Sequence, residues 1–199
     1  MDIKKENLED FKTAISSTVK SLSNSHKIEV SFGNQTSNSE KNSIKLPDLE
    51  RSGNKINFEE IRAIADSKSL RLRFSNNKTL KKYEPQGNIS KKLYSISEKI
   101  RCEKIGTSYF KGVKDNIENF YQKRILDLEL KSSEDKITES FENYLRVKFL
   151  DFKNESQIDK KFKSYKKDLN DQFKSKISEL KDSTLDQKKF NSLISELIS

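Results

Sequence analysis

Ile158, Phe162, Tyr165, Leu169, Phe173, Ile177 and Leu180 recur at spacings of three and four residues. Such spacings lay all seven along one side of a helix, and at 1.5 Å per residue that helix runs about 34 Å. An apolar stripe of that length has to be covered, and the chain supplies covers of the same kind. Leu8, Phe11, Ile15, Val19 and Leu22 mark a helix over residues 2–23. Ile89, Leu93, Ile96 and Ile100 mark another. Val113, Ile117, Phe120 and Leu128 form a stripe entered after Gly112, and Ile137, Phe141, Tyr144, Leu145 and Phe149 form one capped by Ser133. A last helix covers Gln187 to Ile198. Amphipathic segments that each need a partner predict a mainly α fold, an irregular helical bundle. The long stripe spans too few heptads for a coiled-coil seam.

Two stretches read differently. KIEVSFG, residues 27–33, alternates Ile28, Val30 and Phe32, which predicts a strand ending at Gly33. SIKLP, residues 43–47, predicts a second short strand stopped by Pro47, the two pairing as a small β-hairpin over about 27–47. The polar residues 34–43 between them read as mobile, and 49–57 as a loop. Asn57 reads as an N-cap, with Glu60 three residues on, for a helix carrying Phe58, Ile61 and Ile64. In ADSKSLRLRF, residues 65–74, Leu70, Leu72 and Phe74 alternate with Arg71 and Arg73. A period of two predicts one short extended basic segment. NNKTLKKYEPQGN then holds a helical turn, broken at Pro85 and Gly87. The expected organisation is an α-rich domain over 1–150 and a C-terminal helical extension, 151–199, packed on it.

Charge is concentrated. The net charge is +9. From Arg62 to Lys104 there are 12 Lys and Arg against Asp66, Glu84, Glu98 and Glu103, or 12 − 4 = +8. Arg71, Arg73, Lys81, Lys82, Lys91 and Lys92 are the candidates for binding an anionic partner. The competing reading is a solvated surface with some cations paired internally, as Arg62 is spaced to pair with Asp66 and Arg101 with Glu98.

Catalytic and cofactor signatures are sparse. The one histidine, His26, falls at a predicted helix end, where a dipole contact is the commoner role. Cys102, between Arg101 and Glu103, reads as a small buried thiol. A single cysteine makes no internal disulfide and fits a reducing compartment. The five glycines are scattered, so no phosphate loop is spelled out. No apolar run approaches the roughly 20 residues needed to span a bilayer. Together these predict a cytoplasmic chain without membrane association, and with no catalytic, metal-binding or cofactor-binding residue.

IRAIADSKSLRLRF resembles the R-G-x-A-D…A-L-R-L-R-Y segment of the N-terminal region of the CobT subunit of aerobic cobaltochelatase. PQGNISKKLYSISEKIRCEKIGTSYFKGVKDNI is similar to that family's P-x-G…E-x-x-R-x-E-x-x-G…G-V-x-x-N string. The matching positions are Pro85, Gly87, Glu98, Arg101, Glu103, Gly106, Gly112, Val113 and Asn116. FKTAISSTVKSLS, KIEVSFG, KLPDLE, YLRVKFL and DQKKFNSLISELI agree in order, so the resemblance covers most of the chain. Ala63 departs from the usual Gly, Ser75 and Asn76 from a His-Asp pair, and Lys91 from the usual Arg. The family continues through an acidic linker into a von Willebrand A-type domain.

The resemblance implies ATP-driven insertion of Co²⁺ into a corrin ring during cobalamin biosynthesis. In that scheme a large CobN-like subunit holds the tetrapyrrole and a CobS-like AAA+ ATPase is the motor. The CobT-like chain is then a chaperone-like, non-catalytic assembly or adaptor subunit. ATP, Mg²⁺ and Co²⁺ belong to the partner subunits. The matched positions Arg62, Asp66, Glu98, Arg101, Glu103, Gly106, Gly112 and Asn116 are expected to be structural. A homo-oligomer is left open. The alternative from a different class is a basic helical module that binds nucleic acid, with Tyr83 and Tyr94 as stacking surfaces. It is less favoured, because no helix-turn-helix, OB or RNA-recognition signature accompanies the charge.

Overall fold

A computed structural model describes residues 3–33, 43–49, 57–153 and 156–199. Its elements are α1 (Ile3–Ser23), β1 (Glu29–Phe32), β2 (Ser43–Leu46), α2 (Phe58–Phe74), α3 (Asn77–Lys82) and α4 (Asn88–Tyr109). They continue as α5 (Lys111–Asp127), α6 (Ser133–Leu150), α7 (Ser156–Phe173), α8 (Ile177–Asp182) and α9 (Gln187–Ile198). The expected mainly α fold with a small sheet near the N-terminus is what forms. The expectations for 34–42 and 50–56 lie outside the described residues.

Two apolar clusters organise the helices. The smaller packs Leu8, Ile15 and Val19 of α1 with Ile28, Phe32, Ile44 and Leu46 of the sheet region and with Ile61 and Ala65 of α2. The larger runs from Leu70 through Tyr94, Ile117, Phe141 and Phe162 to Phe190 and Ile194. Helix α2 serves both: its N-terminal half closes the first cluster and Leu70, further along, enters the second. Side chains from α7, α8 and α9, such as Phe173, Leu180 and Phe190, are as deeply buried as those of α4 and α6. Residues 151–199 therefore share the core of the preceding helices.

The two strands do not make a hairpin. They pair in parallel, with Glu29 opposite Ser43 and Phe32 opposite Leu46. Alternation reports which face of a strand is buried and says nothing about its direction. Gly33 leaves β1 at φ +61, and a Cβ there would lie 2.8 Å from Asp48 Cγ, so a glycine suits this exit.

The alternating LRLRF segment is also corrected. It is the last turn and a half of α2. The helix starts as predicted, with Asn57 Oδ1 accepting from the Glu60 backbone N–H at 3.2 Å. Once begun, it propagates cooperatively through residues 70–74. In the helix Leu70 is fully buried and Phe74, one turn on, packs against the same cluster. Leu72 is left 41 % exposed.

Two smaller expectations shift. The stripe from Ile158 to Leu180 is split, α7 ending at Phe173 and α8 starting at Ile177. The turn between them, in which the Lys176 N–H donates to the Phe173 carbonyl oxygen at 3.0 Å, lets both Phe173 and Leu180 face the core. The cap of α6 is Ser132 instead of Ser133, in a reciprocal capping box with Asp135. The last helix has the expected bounds.

Candidate functional site

Helix α4 places charge in the interior on two sides. On one side Arg101, 1 % exposed, donates from Nε and Nη2 to both oxygens of Glu98 at 2.9 and 2.8 Å. Its remaining N–H groups reach two main-chain carbonyls, Thr184 at 2.9 Å and Phe74 at 2.6 Å. Gln187 Nε2 donates to Glu98 Oε1 at 3.0 Å. The pair thus binds the end of α2 to the segment leading into α9. Burying an ion pair is tolerable only when its spare donors and acceptors are met in this way.

On the other side, Glu103 accepts from Arg146 Nη1 at 2.7 Å and from Ser67 Oγ at 2.5 Å. Arg146 also donates from Nε and Nη2 to Glu142 Oε1, at 3.0 and 2.8 Å. Lys99 Nζ donates to the same oxygen at 2.8 Å. Arg124 of α5 makes a two-pronged contact with Glu139 at 3.0 and 2.7 Å. Burial alone would raise the Glu142 pKa, but Lys99, Arg146 and Arg124 more than offset it and hold the carboxyl well below its ordinary range. Lys92 pairs with Glu134 on the same helix face. The pairs Lys92–Glu134, Lys99–Glu142 and Glu103–Arg146 span 42, 43 and 43 residues, so α4 and α6 run parallel and in step.

Between α2, α4, α5 and α6 lies a cavity of about 370 Å³. Glu103, Glu142, Arg124 and Arg146 form its charged interior, and Ile117 and Phe120 an apolar wall. Lys68 and Arg71 line it from α2. Tyr121 lines it too, with the Arg146 guanidinium 4.5 Å from its ring centre and a buried hydroxyl that has no hydrogen-bond partner among the described residues.

The structure separates the predicted partner-binding residues. About 100° of helix rotation per residue sends Arg71 and Arg73 to nearly opposite sides of α2. Arg71 donates to Ser95 Oγ at 3.2 Å and faces the cavity. Arg73 donates to the Leu22 carbonyl oxygen at 3.3 Å and lies over the Phe74 and Phe110 rings. Neither meets a carboxylate among the described residues. Lys81 and Lys82 are exposed on α3, Lys82 beside the Tyr83 ring. Lys91 and Lys92 are each within reach of an acid, Glu84 and Glu134.

The matched motif positions, by contrast, meet one another. Asn116 Nδ2 donates to Asp66 Oδ2 at 2.8 Å, joining α5 to α2. Burial raises the Asp66 pKa, with Asn116 and the charge of Arg62 acting against it. Gly106 underlies Leu70. Gly112 is exposed in the first turn of α5 with open space around its α-carbon, and nothing in the structure explains a glycine there.

Sequence reasoning missed Lys68, Tyr121, Arg124, Glu142 and Arg146. A signal was present: Glu142 and Arg146 are four apart and interleaved with the buried Phe141, Tyr144 and Leu145, which turns the pair inward. Cys102 is buried, and burial, then Glu98, pushes its thiol pKa up, away from reactivity. Among the described residues no cluster of three His, Cys, Asp or Glu is placed to hold a metal ion, and no helix is long and apolar enough to cross a membrane.

Interior ion pairs that tie helix to helix, around a cavity edged by cations, define a mainly helical protein with a charged interior. The chain belongs to the CobT family: the family described as cobalamin biosynthesis protein CobT matches residues 5–199. Membership implies a role in cobalamin biosynthesis, within a cobaltochelatase complex that has other subunits. No solved structure matches the chain.

Proposed function

We propose that the chain is a non-catalytic adaptor of the cobaltochelatase, docking on an AAA+ ATPase subunit through the end of α2 and α3. One observation carries this reading. Arg73, Lys78, Lys81 and Lys82 are exposed within ten consecutive residues that contain no acid, and none forms an ion pair among the described residues. The other supports are the occupied state of the motif residues, which hold the scaffold together, and the inert environment of Cys102. A cationic corner of this kind speeds and orients encounter with an acidic surface more than it tightens it.

The test is co-elution with the cognate AAA+ subunit. Wild-type chain is expected to co-elute at low salt and to separate at about 1 M salt, where screening shortens to about 3 Å. The variant Lys78→Glu/Lys81→Glu/Lys82→Glu is expected to elute alone at either salt. Failure of the wild type to bind, with or without ATP, overturns the proposal. Retention of DNA or RNA in place of the ATPase would assign the same cations to a phosphate backbone.

A further inference from the structure

The cavity between α2, α4, α5 and α6 has a charge balance that the fold does not close. Three cations in or beside it, Lys99, Arg124 and Arg146, meet three carboxylates, Glu103, Glu139 and Glu142. That leaves 3 − 3 = 0 for this network. Lys68 and Arg71 remain, one helical turn apart on the α2 wall. Lys68 Nζ donates to the Lys45 carbonyl oxygen at 2.5 Å and Arg71 to Ser95 Oγ, so among the described residues each meets a neutral oxygen in place of an anion. Lys68 is exposed at the cavity rim, where partial desolvation lowers its pKa. Tyr121 adds a second unmet need, its buried hydroxyl.

Beside these charges lies an apolar wall. Ile64 comes from α2, and Ile117 and Phe120 from α5. A volume of about 370 Å³ lies in the range of small-molecule sites, roughly 300–1,000 Å³. The acids lining the cavity do not repel an incoming anion strongly, because Arg146 and Lys99 neutralise them at hydrogen-bond distance.

We infer that this cavity binds a small organic anion, with a carboxylate or phosphate between Lys68 and Arg71 and an apolar body against Ile64, Ile117 and Phe120. The site stands apart from the docking corner, since Arg71 and Arg73 point to different sides of α2, and it does not rest on the adaptor reading.

The full chain, labelled with ¹⁵N, is titrated with 2-naphthoate, 2-naphthyl phosphate and the neutral 2-naphthylmethanol. At least one anion is expected to give saturable shifts confined to amides of residues 63–71, 95–103 and 117–124, and the alcohol none. Lys68→Gln/Arg71→Gln is expected to weaken binding by about tenfold or more, the loss of charge-assisted hydrogen bonds. Arg71→Lys should retain part of it, and Lys81→Gln/Lys82→Gln all of it. Amide positions remote from the cavity report whether each variant is folded, and Phe120→Ala tests the apolar wall without altering charge. No saturable shift with either anion, equal binding of the alcohol, or unchanged affinity in the folded Lys68/Arg71 variant would overturn the assignment.

Discussion

Gly106 of α4 receives the Leu70 side chain of α2 where the two helices cross. A methyl group on Gly106 would fall within 2.8 Å of Leu70 Cγ and closer still to its terminal carbons. Leu70 is fully buried, so it has little room to yield. Gly106→Ala is therefore expected to destabilise the protein by about 1–3 kcal/mol, the usual result of overpacking. Leu70→Ala alone should remove about 2–5 kcal/mol. The double variant should be more stable than the sum predicts, because the alanine methyl enters space that the leucine vacates. Urea unfolding of the four proteins measures this, and strict additivity would show that the contact is not the constraint.

Glu98 and Arg101 form a second kind of constraint. Arg101→Met leaves a carboxylate buried without its counter-ion and is expected to remove about 3–5 kcal/mol. Glu98→Gln/Arg101→Met should recover much of that, since the remaining amide needs far less from its surroundings. Thermal melts settle the order, at about 2–4 °C per kcal/mol for a chain of this size. A double variant no better than Arg101→Met would contradict it.

Stability should fall in acid through Glu142. Its folded pKa lies below the ordinary value of 4.5, so its contribution is fully present above the unfolded pKa. It is lost progressively as pH drops through about 4.5 towards the folded value. Asp66 has the opposite sign: its raised folded pKa favours the protonated form, so stability declines as pH rises past its ordinary 3.8. Denaturant midpoints from pH 3 to pH 7 should show a net acid loss on the order of a few kcal/mol, and Glu142→Gln should flatten it. An unchanged slope in that variant would assign the acid sensitivity elsewhere.

The Cys102 thiol should be silent to a disulfide reagent at pH 8 in the native protein and react at once in denaturant. It is buried, and its pKa is driven upward by burial and by Glu98. Rapid native labelling would mean that α4 opens locally far more often than its packing suggests.

A chain ending at residue 150 should not fold compactly. Phe173, Leu180 and Phe190 close the larger cluster, and Arg101 would lose the Thr184 carbonyl it donates to. Broad, poorly dispersed amide spectra are the expected outcome. A cooperative unfolding transition in the truncated chain would show that 151–199 is dispensable.

Helix periodicity made most of this architecture legible. Spacing of three and four residues located α1, α4, α5, α6 and α9, because burial of one face is a local property of sequence. Residues 70–74 misled because Leu-Arg-Leu-Arg-Phe satisfies both periods: Leu70 and Phe74 are one turn apart as well as two steps of a strand. What decided between them was the helix already begun at Asn57. Strand direction was hidden for a related reason, since it depends on where the chain returns and not on the strand itself. The cavity was invisible because its lining comes from four helices. Arg71 and Glu103 among its charged residues stood out in the sequence, for other reasons, and Glu142 and Arg146 carried an unused signal as polar members of an apolar stripe.

The in-step pairing of α4 with α6 has a mechanical consequence. Along α4 the charges read plus, plus, minus at Lys92, Lys99 and Glu103, and along α6 minus, minus, plus at Glu134, Glu142 and Arg146. Sliding one rod past the other by a single turn would set Lys99 against Arg146, like sign facing like in a poorly hydrated interior. The order of signs therefore opposes a one-turn shear of α4 against α6. The two helices are thus keyed to one register along their shared length.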